Sequence, residues 1–250
     1  MRVEALQSLL GGLNTALSFV YPEVCQYCGQ QRATPDEGYV CQRCWKNLRF
    51  IRPPYCERCG LPYEGAIDGT FRCSNCADVE LHFVRARSAV AAEGMALEIL
   101  HRWKYGRQLW FEPFLAGVLI QETGTNLRDE GWNLIVPVPL HPLKQHEREF
   151  NQSANLARRL GTANSLPVCE DAVRRVEPTC VQASLSRDER QKNVRRAFAP
   201  ANAEAVRDRS IVLVDDVLTT GATTNACAKV LLGAGAAEVC VWTVARGLLH

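Results

Sequence analysis

The sequence lacks any apolar run long enough to cross a membrane, which takes about 20 consecutive apolar residues in a helix. It also lacks an excess of charge of one sign, since 29 Lys and Arg residues stand against 27 Asp and Glu residues. Glu4 and Asn14 interrupt the apolar residues of the first twenty positions, and no small-residue cleavage site follows. No secretion signal is therefore expected. These absences exclude membrane-spanning proteins and general polycations, and they favour a soluble globular protein of the cytoplasm.

Cysteine, by contrast, is abundant: the chain has 12, and eight of them form four Cys-x-x-Cys pairs. The pairs are Cys25 and Cys28, Cys41 and Cys44, Cys56 and Cys59, and Cys73 and Cys76. Such a pair turns two thiolates toward one tetrahedral ion, so four pairs predict two closed structural zinc sites. Disulfides are the alternative, and they require an oxidising compartment that nothing in the sequence indicates.

The spacing of the pairs leaves two arrangements open, consecutive sites or interleaved ones. The first and third pairs are each followed by a glycine, Gly29 and Gly60, whereas the second and fourth are followed by Trp45 and Ala77. The repeating unit is therefore two pairs long, which favours two consecutive zinc ribbons. Each site of four thiolates and one Zn²⁺ carries a net charge of about −2, so zinc binding would change the formal charge of the chain from +2 to about −2.

We expect three regions along the chain. Apolar residues at helical spacing in residues 1–22 predict an amphipathic helix, residues 23–80 hold the double zinc ribbon, and an α/β domain covers residues 81–250. In the last region, strand patterns at 84–91, 133–140, 211–214 and 238–245 alternate with helix patterns at 95–103, 111–122, up to 160 and 225–232. This alternation predicts a doubly wound, mostly parallel α/β sheet.

Residues 211–223 carry the most specific pattern: four apolar residues, then Asp215 and Asp216, then Thr-Thr-Gly-Ala-Thr leading into a helix. The apolar run predicts a parallel strand that is buried on both faces. The small residues and hydroxyls at the helix N-terminus leave backbone N–H groups for a phosphate. Two adjacent carboxylates at the end of the strand are suited to accept hydrogen bonds from neighbouring sugar hydroxyls. Together these features predict a ribose 5-phosphate site.

This pattern resembles the phosphoribosyl pyrophosphate (PRPP) motif of type I phosphoribosyltransferases. The resemblance implies the phosphoribosyltransferase type I fold, with Asp215 and Asp216 bound to the 2- and 3-hydroxyls of the ribose and with magnesium bound to PRPP. It also implies that the residues after the acidic pair hold the 5-phosphate: Thr219, Thr220, Gly221, Ala222 and Thr223.

Further segments narrow the resemblance to one family. They are Val-Pro-Val-Pro at 136–139, Arg-Glu-Phe-Asn-Gln at 148–152, Thr-x-x-Gln at 179–182, Arg-x-x-Asn at 190–193 and Ala-Phe at 197–198. Together with the zinc ribbons they resemble the ComF family of competence-associated proteins over nearly the whole chain. That resemblance implies a role in DNA uptake and natural transformation, with single-stranded DNA or a competence helicase as partner. Glu149 stands where the family ordinarily has glycine, which places a carboxylate near the predicted pyrophosphate pocket.

The family resemblance also implies where the pyrophosphate of PRPP would bind. The candidate pocket residues are Val138, Pro139 and His141. The candidate cations that would stabilise the leaving pyrophosphate are Lys104, Arg148 and Arg190. In that role the chain would transfer ribose 5-phosphate to a nucleobase-like acceptor. A second hypothesis is a binding module that has kept the fold, and a third is a regulator that senses PRPP without converting it.

Residues 174–196 hold seven basic and three acidic residues, a larger excess than that of the whole chain. This segment occupies the place of a mobile loop that closes over the substrate in type I transferases. The alternative interpretation of its charges is a solvated charged helix. We also expect weak, salt-sensitive binding of single-stranded DNA by this segment. The residues that would contact DNA are Arg187, Arg190, Lys192, Arg195 and Arg196. Aromatic residues of the ribbons would add base stacking: Trp45, Tyr55 and Phe71.

Overall fold

The computed structural model describes residues 23–65, 67, 69, 71–77, 79–140, 150–176 and 197–248. The helix expected in residues 1–22 lies outside this part of the chain. The helices are α1 (Gln42–Lys46), α2 (Ser74–Ala77), α3 (Gly94–Tyr105), α4 (Glu112–Thr123), α5 (Gln152–Asn164), α6 (Ala203–Val206) and α7 (Ala222–Gly233). The strands are β1 (Arg85–Ala91), β2 (Leu134–Pro137), β3 (Val173–Arg175), β4 (Phe198–Pro200), β5 (Ser210–Leu218) and β6 (Glu238–Arg246). A short 3₁₀ helix, Leu109–Phe111, precedes α4.

Four strands form the main sheet in the order β1-β6-β5-β2, and every neighbouring pair is parallel. The side chains of β5 alternate between two cores: Val212 and Val214 face one, and Ile211 and Leu213 face the other. This confirms the expected strand that is buried on both faces. β3 and β4 pair with each other as a separate antiparallel hairpin. Within the described residues, no helix has the length and apolar character needed to cross a membrane.

Each face of the sheet is covered by different elements. One core contains residues of α3, α4 and α5 together with cysteines of the first zinc site, including Trp103, Phe114 and Cys41. The other core contains residues of α7 and of the β3–β4 hairpin, such as Leu231 and Phe198. Helices therefore pack on both faces, and the predicted doubly wound parallel α/β architecture is confirmed.

The end of β5 differs from the expectation. The acidic pair was expected where the strand ends, but the strand continues for two more residues, to Leu218. The reason is the length of its neighbour β6, in which Thr243, Ala245 and Arg246 pair with Asp215, Val217 and Leu218. β2 instead ends at Pro137, as expected for a strand that runs into prolines without a free N–H group. The acids therefore lie within the last residues of β5, in the part of this strand that extends beyond its neighbour β2.

Candidate functional site

The eight paired cysteines form two groups of four consecutive ligands. One group is Cys25, Cys28, Cys41 and Cys44, the other is Cys56, Cys59, Cys73 and Cys76, and within each group the sulfur atoms all lie within 4.8 Å of one another. The closest sulfur contacts are 3.8 Å in the first group and 3.5 to 3.9 Å in the second. Four sulfurs at about 2.3 Å from a central Zn²⁺ lie roughly 3.8 Å apart. Both groups therefore fit zinc, and the consecutive arrangement is confirmed.

The surroundings of the sulfur atoms also fit thiolate ligands. The backbone amide of Cys41 donates to Cys25 Sγ over 3.4 Å, and that of Cys73 donates to Cys56 Sγ over 3.3 Å. Donors in this position stabilise the negative charge of a metal-bound thiolate. Every cysteine in the described part of the chain is free of a disulfide. Four-cysteine sets leave no open coordination position, so the zinc would be structural rather than catalytic.

The acidic pair lies at the carboxyl end of the parallel sheet, where ligands bind in open α/β folds. Asp215 Oδ1 accepts hydrogen bonds from Ser153 Oγ over 2.8 Å and from the Asp216 amide over 2.9 Å. Asp216 Oδ2 forms an ion pair of 2.7 Å with Lys104 Nζ, in which both side chains are largely shielded from water. Three elements, α3, α5 and β5, thus contribute to one charged cluster.

The surroundings of Asp215 change its ionisation. Burial, and to a smaller extent the neighbouring carboxylate of Asp216, raise the pKa of Asp215 to about 7. The ammonium group of Lys104 and the hydrogen bond from Ser153 act in the opposite direction. An acid with such a pKa is partly protonated near neutral pH, so a ligand that favours the carboxylate form must also displace a proton.

The predicted phosphate loop follows β5 directly. Gly221 has φ +77°, a left-handed conformation, and precedes the first residue of α7. The N-cap residue of α7 is Gly221, which has no side chain to accept hydrogen bonds from the amides of the first turn. Thr220 Oγ1 accepts a long contact of 3.4 Å from the Ala222 amide, and Thr224 Oγ1 donates to the Gly221 carbonyl. A twelve-residue helix whose N-cap glycine supplies no side-chain acceptor, and which begins next to hydroxyl groups, is suited to bind an anion.

The end of β2 lies beside the acidic pair. The Val138 amide donates to the Val214 carbonyl over 2.9 Å, one residue before Asp215. Asn151, which caps α5, donates its side-chain amide to the Val138 carbonyl over 3.3 Å. Pro139 then lines a cavity of about 510 Å³ between α5 and β3. This cavity lies just beyond the end of β2, and its lining includes Asn151 but neither Asp215 nor Asp216.

The structure brings a large part of the predicted site together. Ten of the predicted residues lie at the carboxyl end of the sheet: Lys104, Val138, Pro139, Asp215, Asp216 and the loop Thr219, Thr220, Gly221, Ala222 and Thr223. Other predicted residues lie outside the described part of the chain: His141, Arg148, Arg187, Arg190, Lys192, Arg195 and Arg196, with Glu149.

Two of the aromatic residues expected to stack on DNA bases have contacts within the folded protein. The ring of Trp45 packs edge-to-face against Phe114 at 5.3 Å, and Gly117 faces the same ring, so Trp45 is part of the contact between the first ribbon and α4. Tyr55 lies under the guanidinium of Arg87. Part of the Trp45 ring and one face of the Tyr55 ring are therefore in contact with other side chains of the folded protein, and base stacking by the ribbon aromatics stays a prediction.

Sequence reasoning missed three residues that support the site. Ser153 binds Asp215, Asn151 joins α5 to the end of β2, and Arg246 binds the backbone of the phosphate loop. Asn151 could have been predicted from the sequence, because asparagine is a preferred N-cap residue and Asn151 directly precedes a helix. Ser153 and Arg246 belong to no local pattern, and only the fold places them near their partners.

Comparison with known proteins agrees with the two parts of this architecture. The chain matches the double zinc ribbon domain family over residues 16–78 and the phosphoribosyl transferase domain family over residues 154–248. It is 31% identical over 230 residues to Competence protein F of Haemophilus influenzae, covering 89% of this chain and 96% of that protein. It is 32% identical over 230 residues to DNA utilization protein YhgH of Salmonella typhimurium, covering 91% and 98%. Competence protein ComFC of Bacillus subtilis is 26% identical over 227 residues, covering 85% of each.

Proposed function

Because this chain belongs to the ComF family of competence-associated proteins, we propose that it binds PRPP through its phosphoribosyltransferase domain and acts on single-stranded DNA during DNA uptake. The observation that supports this proposal is the position of Asp215 and Asp216 on β5, which leads through a short loop into the N-terminus of α7, where the N-cap residue Gly221 has no capping side chain. Adjacent carboxylates suit a vicinal diol, and the helix N-terminus suits a phosphate. A diol site followed by a phosphate site along one strand–loop–helix segment would suit a ribose 5-phosphate, the part of PRPP that these residues would bind.

The acidic pair must exchange partners when the ligand enters. Asp216 is held by Lys104, and Asp215 is held by Ser153 and the backbone. Ribose hydroxyls would replace part of these contacts, and Lys104 would then be free to approach the pyrophosphate at the Val138 and Pro139 end of the site. Magnesium, bound with PRPP, would neutralise the pyrophosphate charge there.

The ligand itself offers a test of this assignment. Equilibrium dialysis should compare PRPP, ribose 5-phosphate and 2-deoxyribose 5-phosphate, each with magnesium. Loss of one hydroxyl removes a charge-assisted hydrogen bond to the acidic pair, so the deoxy compound should bind roughly tenfold or more weakly than ribose 5-phosphate. Equal affinities of the two sugars would show that the acids do not hold the diol.

The proposed DNA contact rests on the connection between β3 and β4. These strands pack beside α7, the helix that follows the phosphate loop, and the basic segment 174–196 includes the end of β3 and the connection to β4. Relatives of similar length carry the names competence protein and DNA utilization protein. Five cations within residues 187–196 would supply the phosphate contacts for DNA or for a partner helicase that carries it. Eight reduced thiols agree with a cytoplasmic place of action.

A titration of labelled single-stranded oligonucleotide at several salt concentrations tests the DNA contact. Three to five phosphate contacts predict a slope of log affinity against log salt of roughly −2 to −3.5. Arg190→Glu with Arg195→Glu should abolish binding, whereas Arg128→Glu with Arg209→Glu makes the same charge change at exposed positions of the α/β domain and should leave binding nearly intact. Magnesium and PRPP should reduce DNA affinity. Equal effects of the two double reversals would remove this segment as the DNA site.

A second candidate function is transfer of ribose 5-phosphate to a nucleobase-like acceptor. The observation that favours it is the cavity of about 510 Å³ beside Pro139, which is large enough for a base. The carboxylates would stabilise positive charge on the ribose as pyrophosphate leaves, and cations would stabilise the leaving group. A pyrophosphate-release assay with PRPP, magnesium and a panel of nucleobases separates the two. Base-dependent release that Lys104→Ala slows would establish the enzyme, and its absence with intact PRPP binding favours the binding module.

A further inference from the structure

The second zinc ribbon touches the predicted phosphate loop through one buried arginine. Arg246, at the end of β6, is only 2% exposed. Its Nη1 donates to the backbone carbonyls of Leu218 over 2.8 Å and of Gly247 over 3.0 Å, and also to that of Thr219. Its Nη2 contacts Cys59 Sγ at 3.7 Å. One guanidinium therefore joins the start of the phosphate loop to a ligand of the second zinc site.

The charge of Arg246 identifies the zinc site as its partner. A guanidinium keeps its proton in proteins, and a buried charge without a counter-charge is strongly unfavourable. Among the residues that the structure describes, no carboxylate forms an ion pair with Arg246. Cys59 belongs to a set of four thiolates that fits zinc, and such a site carries a net charge of about −2. The second site thus supplies the negative charge that a buried Arg246 needs.

A second contact holds the other end of the loop. Asn225, in the first turn of α7, accepts a hydrogen bond from the His82 amide over 2.6 Å and donates to the Glu80 carbonyl over 2.9 Å. These two backbone groups belong to the segment that leaves the second ribbon. The second ribbon is therefore connected through Arg246 to the start of the phosphate loop, and the segment that leaves the ribbon is bonded to the helix that follows the loop.

The first ribbon has no such connection in the described residues. Its cysteines belong to the core on the opposite face of the sheet, and its Trp45 packs against Phe114 of α4. The two ribbons repeat the same Cys-x-x-Cys-Gly pattern, so Cys28 of the first occupies the position of Cys59 in the second. The chain therefore contains a matched internal control.

We propose that Arg246 is a positioning residue that holds the phosphate loop in its binding conformation only while the second ribbon contains zinc. Zinc in that ribbon would stabilise four thiolates, one of which is the counter-charge and hydrogen-bond acceptor for Arg246. Without it, the guanidinium loses its anionic partner and the carbonyls of Leu218 and Thr219 lose their common donor. The ligand assignment in this inference rests on the proposed PRPP function, but the effect on the loop itself does not.

The first experiment compares Cys59→His with Cys28→His. Histidine remains a zinc ligand, so both variants should retain close to two zinc ions per chain, but each replaces a charged sulfur by a neutral nitrogen. Hydrogen exchange of the amides in residues 216–222, measured without PRPP, should become faster in Cys59→His and stay at the wild-type rate in Cys28→His. Affinity for magnesium-bound PRPP should fall roughly tenfold or more in Cys59→His only.

Arg246 variants provide the independent arm. Arg246→Met removes the charge and all four contacts, and it should accelerate loop exchange at least as much as Cys59→His. Arg246→Lys keeps the charge and should recover part of the protection. Wild-type exchange in both Cys59→His and Arg246→Met would overturn the inference, as would equal acceleration in Cys28→His. Failure of the wild-type protein to bind PRPP would instead overturn the proposed function, while faster loop exchange would still support the coupling.

Discussion

Asp215 combines partial shielding from water with a second carboxylate one residue away. Its pKa of about 7 lies well above the ordinary value of 3.8 because burial and Asp216 both disfavour the charged form. Lys104 and Ser153 reduce this effect without removing it. A site that disfavours the charged form of a carboxylate is typical of residues that bind a ligand rather than of residues that stabilise the fold.

The raised pKa of Asp215 predicts how the stability of the protein changes with pH. The folded state binds a proton at Asp215 more tightly than the unfolded state, so this group's contribution to the free energy of unfolding is full below about pH 4 and is lost as the pH rises through 7. Asp215→Asn keeps Oδ1 as an acceptor and removes the charge. We expect it to raise the free energy of unfolding at pH 8 by about 1–3 kcal/mol, less than the full pKa shift gives because the side chain is partly open to solvent.

Urea denaturation at pH 4.5 and pH 8 would measure this difference. The gain should shrink toward zero at the lower pH, where the aspartate of the folded wild-type protein is already protonated. Asp129→Asn, at an exposed position, serves as the control and should change neither value. A destabilised Asp215→Asn protein at pH 8 would show that the carboxylate stabilises the fold.

At the scale of the element, the turn from β5 into α7 depends on one backbone conformation. Gly221 has φ +77°, and a Cβ atom there would meet only ordinary contacts, at 3.8 Å or more. Gly221→Ala should therefore cost about 1 kcal/mol from the left-handed conformation alone. Gly233→Ala, at the other end of the same helix with open space around it, should be neutral or slightly stabilising.

Thermal denaturation of the two variants in the same buffer compares these costs. We also expect Gly221→Ala to weaken PRPP binding, because a relaxed turn would reorient the amides of the first helical turn. A Gly221→Ala protein as stable as Gly233→Ala, with unchanged binding, would show that the left-handed turn is not required for the phosphate site.

The same elements show what the sequence could predict. The zinc pairing followed from a repeat of Cys-x-x-Cys-Gly, because zinc ligand pairs are close together in the chain. The apolar run of β5 predicted a strand buried on both faces, but its extension through Asp215 depends on the length of β6, which no local pattern contains. Ser153 lies 62 residues from Asp215, and Arg246 lies 187 residues from Cys59. Contacts of this range arise from tertiary packing alone.

At the scale of the whole molecule, the two ribbons occupy different places. The first shares a core with α3, α4 and α5, whereas cysteines of the second form a small cluster with Leu61 and Phe71. Metal analysis of protein purified without added zinc should find close to two ions per chain. Cys44→Ser and Cys76→Ser, at equivalent positions of the repeat, should each retain about one ion, because a structural site needs its complete ligand set. One ion in the wild-type chain would contradict the two sites.

Calorimetric titration of magnesium-bound PRPP into the wild-type chain and into Asp215→Asn with Asp216→Asn is the most direct test of the ribose-phosphate site. Two charge-assisted hydrogen bonds, each contributing about 1.5–3 kcal/mol, predict a loss of affinity of roughly 10² to 10⁴-fold in a protein that stays folded. Asp129→Asn with Asp208→Asn removes the same charge at exposed positions and should bind like wild type. Unchanged affinity in the Asp215 and Asp216 double variant would contradict the account.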